Sequence, residues 1–99
     1  MKITTTNSGN VCTLTVEGRI DTLTAPEMEK EVMANIPVCD QMIFDLSGVD
    51  YISSAGIRTI VFSHREMEKK NGLVLRGLNK SVDDVIAMTG FKKMLTIEA

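Results

Sequence analysis

The sequence predicts an α/β domain: a mixed, mainly parallel sheet of about five strands, opened by an antiparallel hairpin and crossed by three helices. Three observations predict it. Cys12, Leu14 and Val16 alternate with Thr13, Thr15 and Glu17, the period of a half-buried strand. Segments beginning near Ala25 and Ser53 repeat their apolar residues at helical spacing instead. Between the helical segments, Met42-Ile43-Phe44 and Leu73-Val74-Leu75 are apolar runs too short for helices, and they fit strands covered on both faces.

Taken in order, Lys2 to Thr6 reads as a short strand, and Asn7-Ser8-Gly9-Asn10 as the turn that pairs it with the strand between Asn10 and Gly18. Thr24 then suits a helix N-cap, with Glu27 three residues on as the return half of a capping box and Pro26 in the first turn. Ala25, Met28, Val32 and Ile36 form one stripe, and Pro37 stops the helix. The run at Met42 ends in Asp45. From about Ser53 a second helix gathers Ile57, Ile60, Val61, His64 and Met67 on one face and offers Glu66 to Lys70 on another, until Asn71-Gly72 ends it. After the strand at Leu73, Ser81 is the expected cap of a third helix with Asp83 and Asp84 in its first turn. Its stripe is Val82, Val85, Ile86 and Thr89, its stop Gly90, and Met94 to Ile97 forms the last strand. The order β-β-α-β-α-β-α-β requires right-handed crossovers.

Composition narrows the function classes. Ninety-nine residues, 43% of them hydrophobic, fit one domain and exclude a two-domain enzyme. Four aromatics and seven Met leave the core to aliphatic and thioether packing. A net charge of −2 supplies no cationic field toward nucleic acid or an anionic membrane surface. Cys12 and Cys39 are too few for a disulfide scaffold and, with the single His64, for a zinc site. With no apolar leader and no membrane span, the chain is read as cytoplasmic with reduced thiols.

No catalytic constellation stands out. His64 is the only imidazole and lies on the buried stripe of its helix, where a packed histidine is the simpler reading. Glycine-rich phosphate loops are absent, and Asp21, Asp45 and Asp50 sit where turn and cap residues sit. No metal, cofactor or catalytic residue is therefore expected. What does stand out is the segment from Asp45 to Arg58, running from a strand end into a helix start, at the edge of an open α/β sheet where ligands and partners bind. Ser53 or Ser54 caps that helix; a hydroxyl there also sits at an anion-tolerant position that accepts a phosphoryl group. From Ser54, residues Arg58, Phe62, Arg65 and Lys69 follow along one flank of the helix. An exposed Phe62 framed by cations suits a partner-facing anchor.

These residues resemble the STAS domain family, and most closely the bacterial anti-sigma factor antagonists. The resemblance covers nearly the whole of residues 1–99 as one STAS domain. It is carried by Gly18-Arg19-Ile20-Asp21 with Ala25 downstream, Asp45-Leu46-Ser47 with Val49 and Ile52, Ser53-Ser54-Ala55-Gly56-Ile57, and Thr89-Gly90-Phe91. It implies a domain that binds an anti-sigma factor serine kinase while unphosphorylated, releases the sigma factor, is switched off by phosphorylation at Ser54, and is restored by a serine phosphatase. The family often has Asp just before this serine and Ser just after it; here Ser53 and Ala55 stand there, so Ser53 is a competing acceptor. Asp21, with Thr22 beside it, matches the acidic position the family uses near the kinase. Gly56 is read as a place for close approach by a partner backbone.

Members of the family usually continue past the last strand into a further helix, which is not expected here. A less covered sheet face then favours weak homodimerisation. STAS-like domains also serve as docking subunits of membrane lipid or anion transport complexes without a phosphate cycle. That is the alternative function, and an enzyme using Ser54 as nucleophile is a third, lacking a base.

Overall fold

Gly9 takes a positive φ of 60°, so the chain reverses over Gly9 and Asn10 alone. That turn pairs Lys2–Ser8 (β1) antiparallel with Val11–Ile20 (β2). The expected four-residue turn is thus tighter, since Asn7 and Ser8 stay in the strand opposite Cys12 and Val11. The computed structural model describes residues 1–98. After β2 come α1 (Ala25–Asn35), a 3-10 turn (Ile36–Val38), β3 (Gln41–Ile52), α2 (Ser54–Met67), β4 (Leu73–Arg76), α3 (Lys80–Met88) and β5 (Thr96–Glu98).

The strands lie in the order β1-β2-β3-β4-β5, with β2 to β5 parallel. Each crossover steps the same way across the sheet, and right-handed crossovers that all step one way put every helix on one face. Cys12, Leu14, Val16, Met42, Phe44 and Leu75 point to that face and are buried. On the other face Thr13, Thr15, Ile43 and Val74 are only half-buried, and Thr4, Thr6 and Thr96 are exposed. This corrects the expectation that the runs at Met42 and Leu73 are covered on both sides: the winding is single, so one face meets solvent. That face carries threonine hydroxyls around Ile43 and Val74.

β3 also runs past its expected end at Asp45. Asp45 pairs with Arg76 at the last rung of β4; beyond it β3 continues along β2 alone, with register breaks at Thr15/Glu17 and Gly18/Arg19. Gly48 permits this, because a Cβ there would stand 2.8 Å from the Glu17 side chain.

Two caps differ from expectation. The Thr24 hydroxyl turns back to donate to the Arg19 carbonyl at 2.7 Å and accept the Asp21 N–H at 2.8 Å, so the capping box with Glu27 does not form. α3 is capped by Asn79, whose Oδ1 accepts the Val82 N–H at 2.9 Å while its Nδ2 donates to the Val49 carbonyl at 2.7 Å. The same amide thus fastens α3 to β3, which Ser81, one residue inside the helix, could not do. Thr89 leaves the expected stripe and donates to the Ile86 carbonyl at 2.6 Å. Glu66 pairs with Lys69 at 3.1 Å rather than with Lys70. The Lys70 ammonium instead donates to the carbonyls of Ile36 and Cys39 and closes the 3-10 turn. Beside that turn, burial pushes the Cys39 thiol up to about 11, and its sulfur donates to the Asn35 carbonyl at 3.1 Å.

Candidate functional site

Ser53 is extended, at φ −98° and ψ 176°, as an N-cap must be. Its N–H donates to the Ile20 carbonyl at 2.8 Å, its own carbonyl accepts the Ile57 N–H at 2.9 Å, and its hydroxyl accepts the Gly56 N–H at 3.4 Å. Ser53 therefore joins the end of β2 to the start of α2 and takes the cap. Ser54 is left as the first helical residue, exposed, with no side-chain hydrogen bond among the described residues.

Gly56 is not available to a partner. It is buried, and a Cβ there would come within 2.7 Å of both Ile20 Cγ2 and Ile52 Cγ1. Its missing side chain lets α2 seat on the ends of β2 and β3. The partner-contact role expected of Gly56 is corrected to an internal packing role.

Asp21 shapes its own loop. Oδ1 accepts the N–H groups of Leu23 and Thr24, each at 3.0 Å, and lies 3.1 Å from the Thr24 hydroxyl, whose proton is shared with the nearer Arg19 carbonyl. The Thr24 N–H above all, with that of Leu23, holds the carboxyl below its ordinary value, against the opposing effect of desolvation. Arg19, over the Tyr51 ring at 4.2 Å, stands 3.7 Å from Oδ2. With the carboxylate turned onto the backbone, Thr22 is exposed and Leu23 is 84% exposed.

Two grooves flank α2. One, of about 420 Å³, lies toward α1 and is lined by Thr22, Pro26, Glu29, Arg58 and Phe62 among others. The other, of about 350 Å³, lies toward the segment after α3 and is lined by Ser54, Arg58, Arg65, Thr89 and Phe91 over apolar residues of α2. Arg58 belongs to both. Phe62, expected to be exposed, is half-buried as a wall of the first groove. Lys69 drops out of the expected cationic row because Glu66 neutralises it. Among the described residues neither Arg58 nor Arg65 has a carboxylate at ion-pair distance.

Residues 2–99 match the STAS domain family. The chain belongs to it. It is 27% identical over 99 residues to BtrV of Bordetella bronchiseptica, named as an anti-sigma factor antagonist, covering 98% of this chain and 85% of that protein. It is also 30% identical over 80 residues to the Mycobacterium tuberculosis anti-sigma-F factor antagonist RsfB, covering 76% of this chain and 64% of that one. Among solved structures, an anti-sigma factor antagonist from Mycobacterium paratuberculosis superposes with a TM-score of 0.89 at 23% identity, over 97% of this chain and 83% of that one.

The STAS fold thus brings Asp21, Thr22, Ser53 and Ser54 to the carboxyl edge of the sheet at the start of α2, sets Arg58 and Phe62 one and two turns along that helix, and withdraws Gly56 into the core. Reading the sequence singled out neither Leu23 and Met88, 84% and 86% exposed, nor Thr89 and Phe91 as residues lining the groove with Ser54. Thr89-Gly90-Phe91 was the available signal for two of them. Gly90, at φ 81°, ends α3 and turns Phe91 back into the groove beside Ser54.

His64 lies ten residues along α2 from Ser54, about 15 Å of helix rise, and is buried with Nε2 3.1 Å from Glu68. It cannot act as a base for Ser54. No group of three or more His, Cys, Asp or Glu among the described residues is arranged to hold a metal ion. No helix among them is long and apolar enough to cross a membrane.

Proposed function

We propose that this protein is an anti-sigma factor antagonist whose partner is an anti-sigma factor serine kinase, bound while Ser54 is unmodified. The observation that carries this reading is the division of labour between adjacent hydroxyls. Ser53 is consumed by the cap, while Ser54 is exposed in the wall of the second groove, with no side-chain hydrogen bond among the described residues. In the modification the Ser54 Oγ–P bond forms as the bond between the β- and γ-phosphates of ATP breaks. ADP leaves and the hydroxyl proton passes to the kinase or solvent.

A phosphoserine adds roughly −1.5 to −2 charges in the groove lined by Arg58, Thr89 and Phe91. At a packed surface, desolvating that charge weakens the complex, and about 2.8 kcal/mol suffices for a hundredfold loss of affinity. A serine phosphatase resets the switch. The output is occupancy of the kinase, which frees the sigma factor; no turnover by this chain is involved. Names of relatives as anti-sigma factor antagonists support the partner class.

The test is incubation with the purified kinase and ATP, followed by site mapping and binding measurements on wild type, Ser54→Ala and Ser54→Asp. One phosphate on Ser54, tight binding by Ser54→Ala and weak binding by Ser54→Asp are expected. Phosphate confined to Ser53 or another residue would overturn the assignment.

A further inference from the structure

Among the described residues Arg58 is the cation within a helical turn of Ser54 along α2, and no carboxylate pairs with it. At i and i+4 the two side chains lie on the same flank of α2, their Cβ atoms about 5–6 Å apart, and both line the groove facing Thr89 and Phe91. Arg65 lines the same groove, but it is eleven residues on, about 16 Å along the axis, beyond reach of a group on Ser54. Arg19 is engaged over Tyr51 and beside Asp21. Among the described residues no carboxylate lines this groove; Glu29 lines the other groove with Arg58 but is not at ion-pair distance from it.

We propose that a phosphoryl group on Ser54 is held within the same chain by the Arg58 guanidinium, which is thereby withdrawn from the partner surface. This rests on reading Ser54 as the acceptor, and it concerns how the modification is read. A planar fork of donors suits two phosphate oxygens. Arg58 stands on the ridge between the two grooves, so binding the phosphate draws it toward Phe91 and away from Thr22 and Phe62. One modification then alters both grooves, and the partner loses a cation as well as meeting an anion.

The experiment uses the full chain with phosphoserine incorporated at position 54 during translation, so that no kinase is needed. The second ionisation of the phosphate is followed by phosphorus NMR between pH 4 and pH 8, in wild type, Arg58→Gln, Arg58→Lys and Arg65→Gln. Arg58, Arg65 and Thr89 are the polar side chains that line the groove with Ser54, and Glu29 shares the wall of the other groove with Arg58. The wild-type phosphate is expected to have an acid dissociation constant roughly three- to tenfold larger than that in Arg58→Gln. Arg58→Lys should keep part of the difference and Arg65→Gln all of it. Equal constants in wild type and Arg58→Gln overturn the proposal, and so does a loss confined to Arg65→Gln. Matching amide spectra establish that the exposed Arg58 is replaced without loss of fold. Failure of the purified kinase to modify Ser54 would count against the proposed function and leave this measurement intact.

Discussion

Gly56 lies so close to Ile20 that a Cβ on the glycine would stand 2.7 Å from the isoleucine's Cγ2. Ile52 Cγ1 is equally close, so an added methyl would have to displace both isoleucine side chains. Helix propensity alone favours alanine over glycine by about 1 kcal/mol, whereas overpacking a filled core costs about 1–3 kcal/mol. Packing wins. Gly56→Ala is expected to lose about 1–2 kcal/mol in urea unfolding, and a stabilised variant would show that α2 is less firmly seated.

The adjacent serines separate by stability. Ser53→Ala removes the helix cap and should cost about 0.5–1 kcal/mol, the low end for a cap because its bond is long. Ser54→Ala should stay within about 0.5 kcal/mol of wild type. Thermal unfolding of the pair checks both, and a larger loss at Ser54 would contradict the assignment of roles.

Acid should act through Asp45. The Ser47 hydroxyl at 2.7 Å and N–H at 3.1 Å, then Arg76 at 3.7 Å, hold its carboxyl below the ordinary 3.8. A carboxyl depressed in the folded state adds stability above pH 3.8 that is lost as pH falls through its lowered value. Asp45→Asn is expected to be less stable at neutral pH and to flatten the fall of stability below that point, as followed by urea midpoints across pH.

Leu23 and Met88, 84% and 86% exposed, adjoin Thr22 and Thr89 at the two grooves. Isolated surface apolars are ordinary; large apolar side chains left this exposed next to groove-lining residues fit interface anchors. Leu23→Asp and Met88→Asp should each weaken kinase binding about tenfold or more with unfolding unchanged. Met33→Asp, on the remote end of α1 and 55% exposed, serves as the control. Calorimetric titration gives the comparison, and equal affinities for all three would remove the anchors from the interface.

Periodicity made the elements legible because it depends only on which residues face the core. Leu14, Met28, Ile57, Ile60, Met67 and Ile86 were all identified from spacing and all are buried. Boundaries and caps were less legible, since they depend on groups distant in sequence. Asn79 displaces Ser81 as a cap because Val49, thirty residues earlier, offers a carbonyl to the same amide. β3 outruns Asp45 because β2 continues beside it. The Ser53–Ser54 ambiguity could not be resolved locally either, as the Ile20 carbonyl is what orients Ser53.

By itself the sequence determined the α/β order, the core stripes and the segment around Ser54, because these follow from side-chain polarity along the chain. Only the tertiary structure decided that the helices share one face, that Gly56 belongs to the core, and that Arg58 joins two grooves beside Ser54. Those are relations between segments brought together by three crossovers, and no local period encodes which side chain ends up with which neighbour.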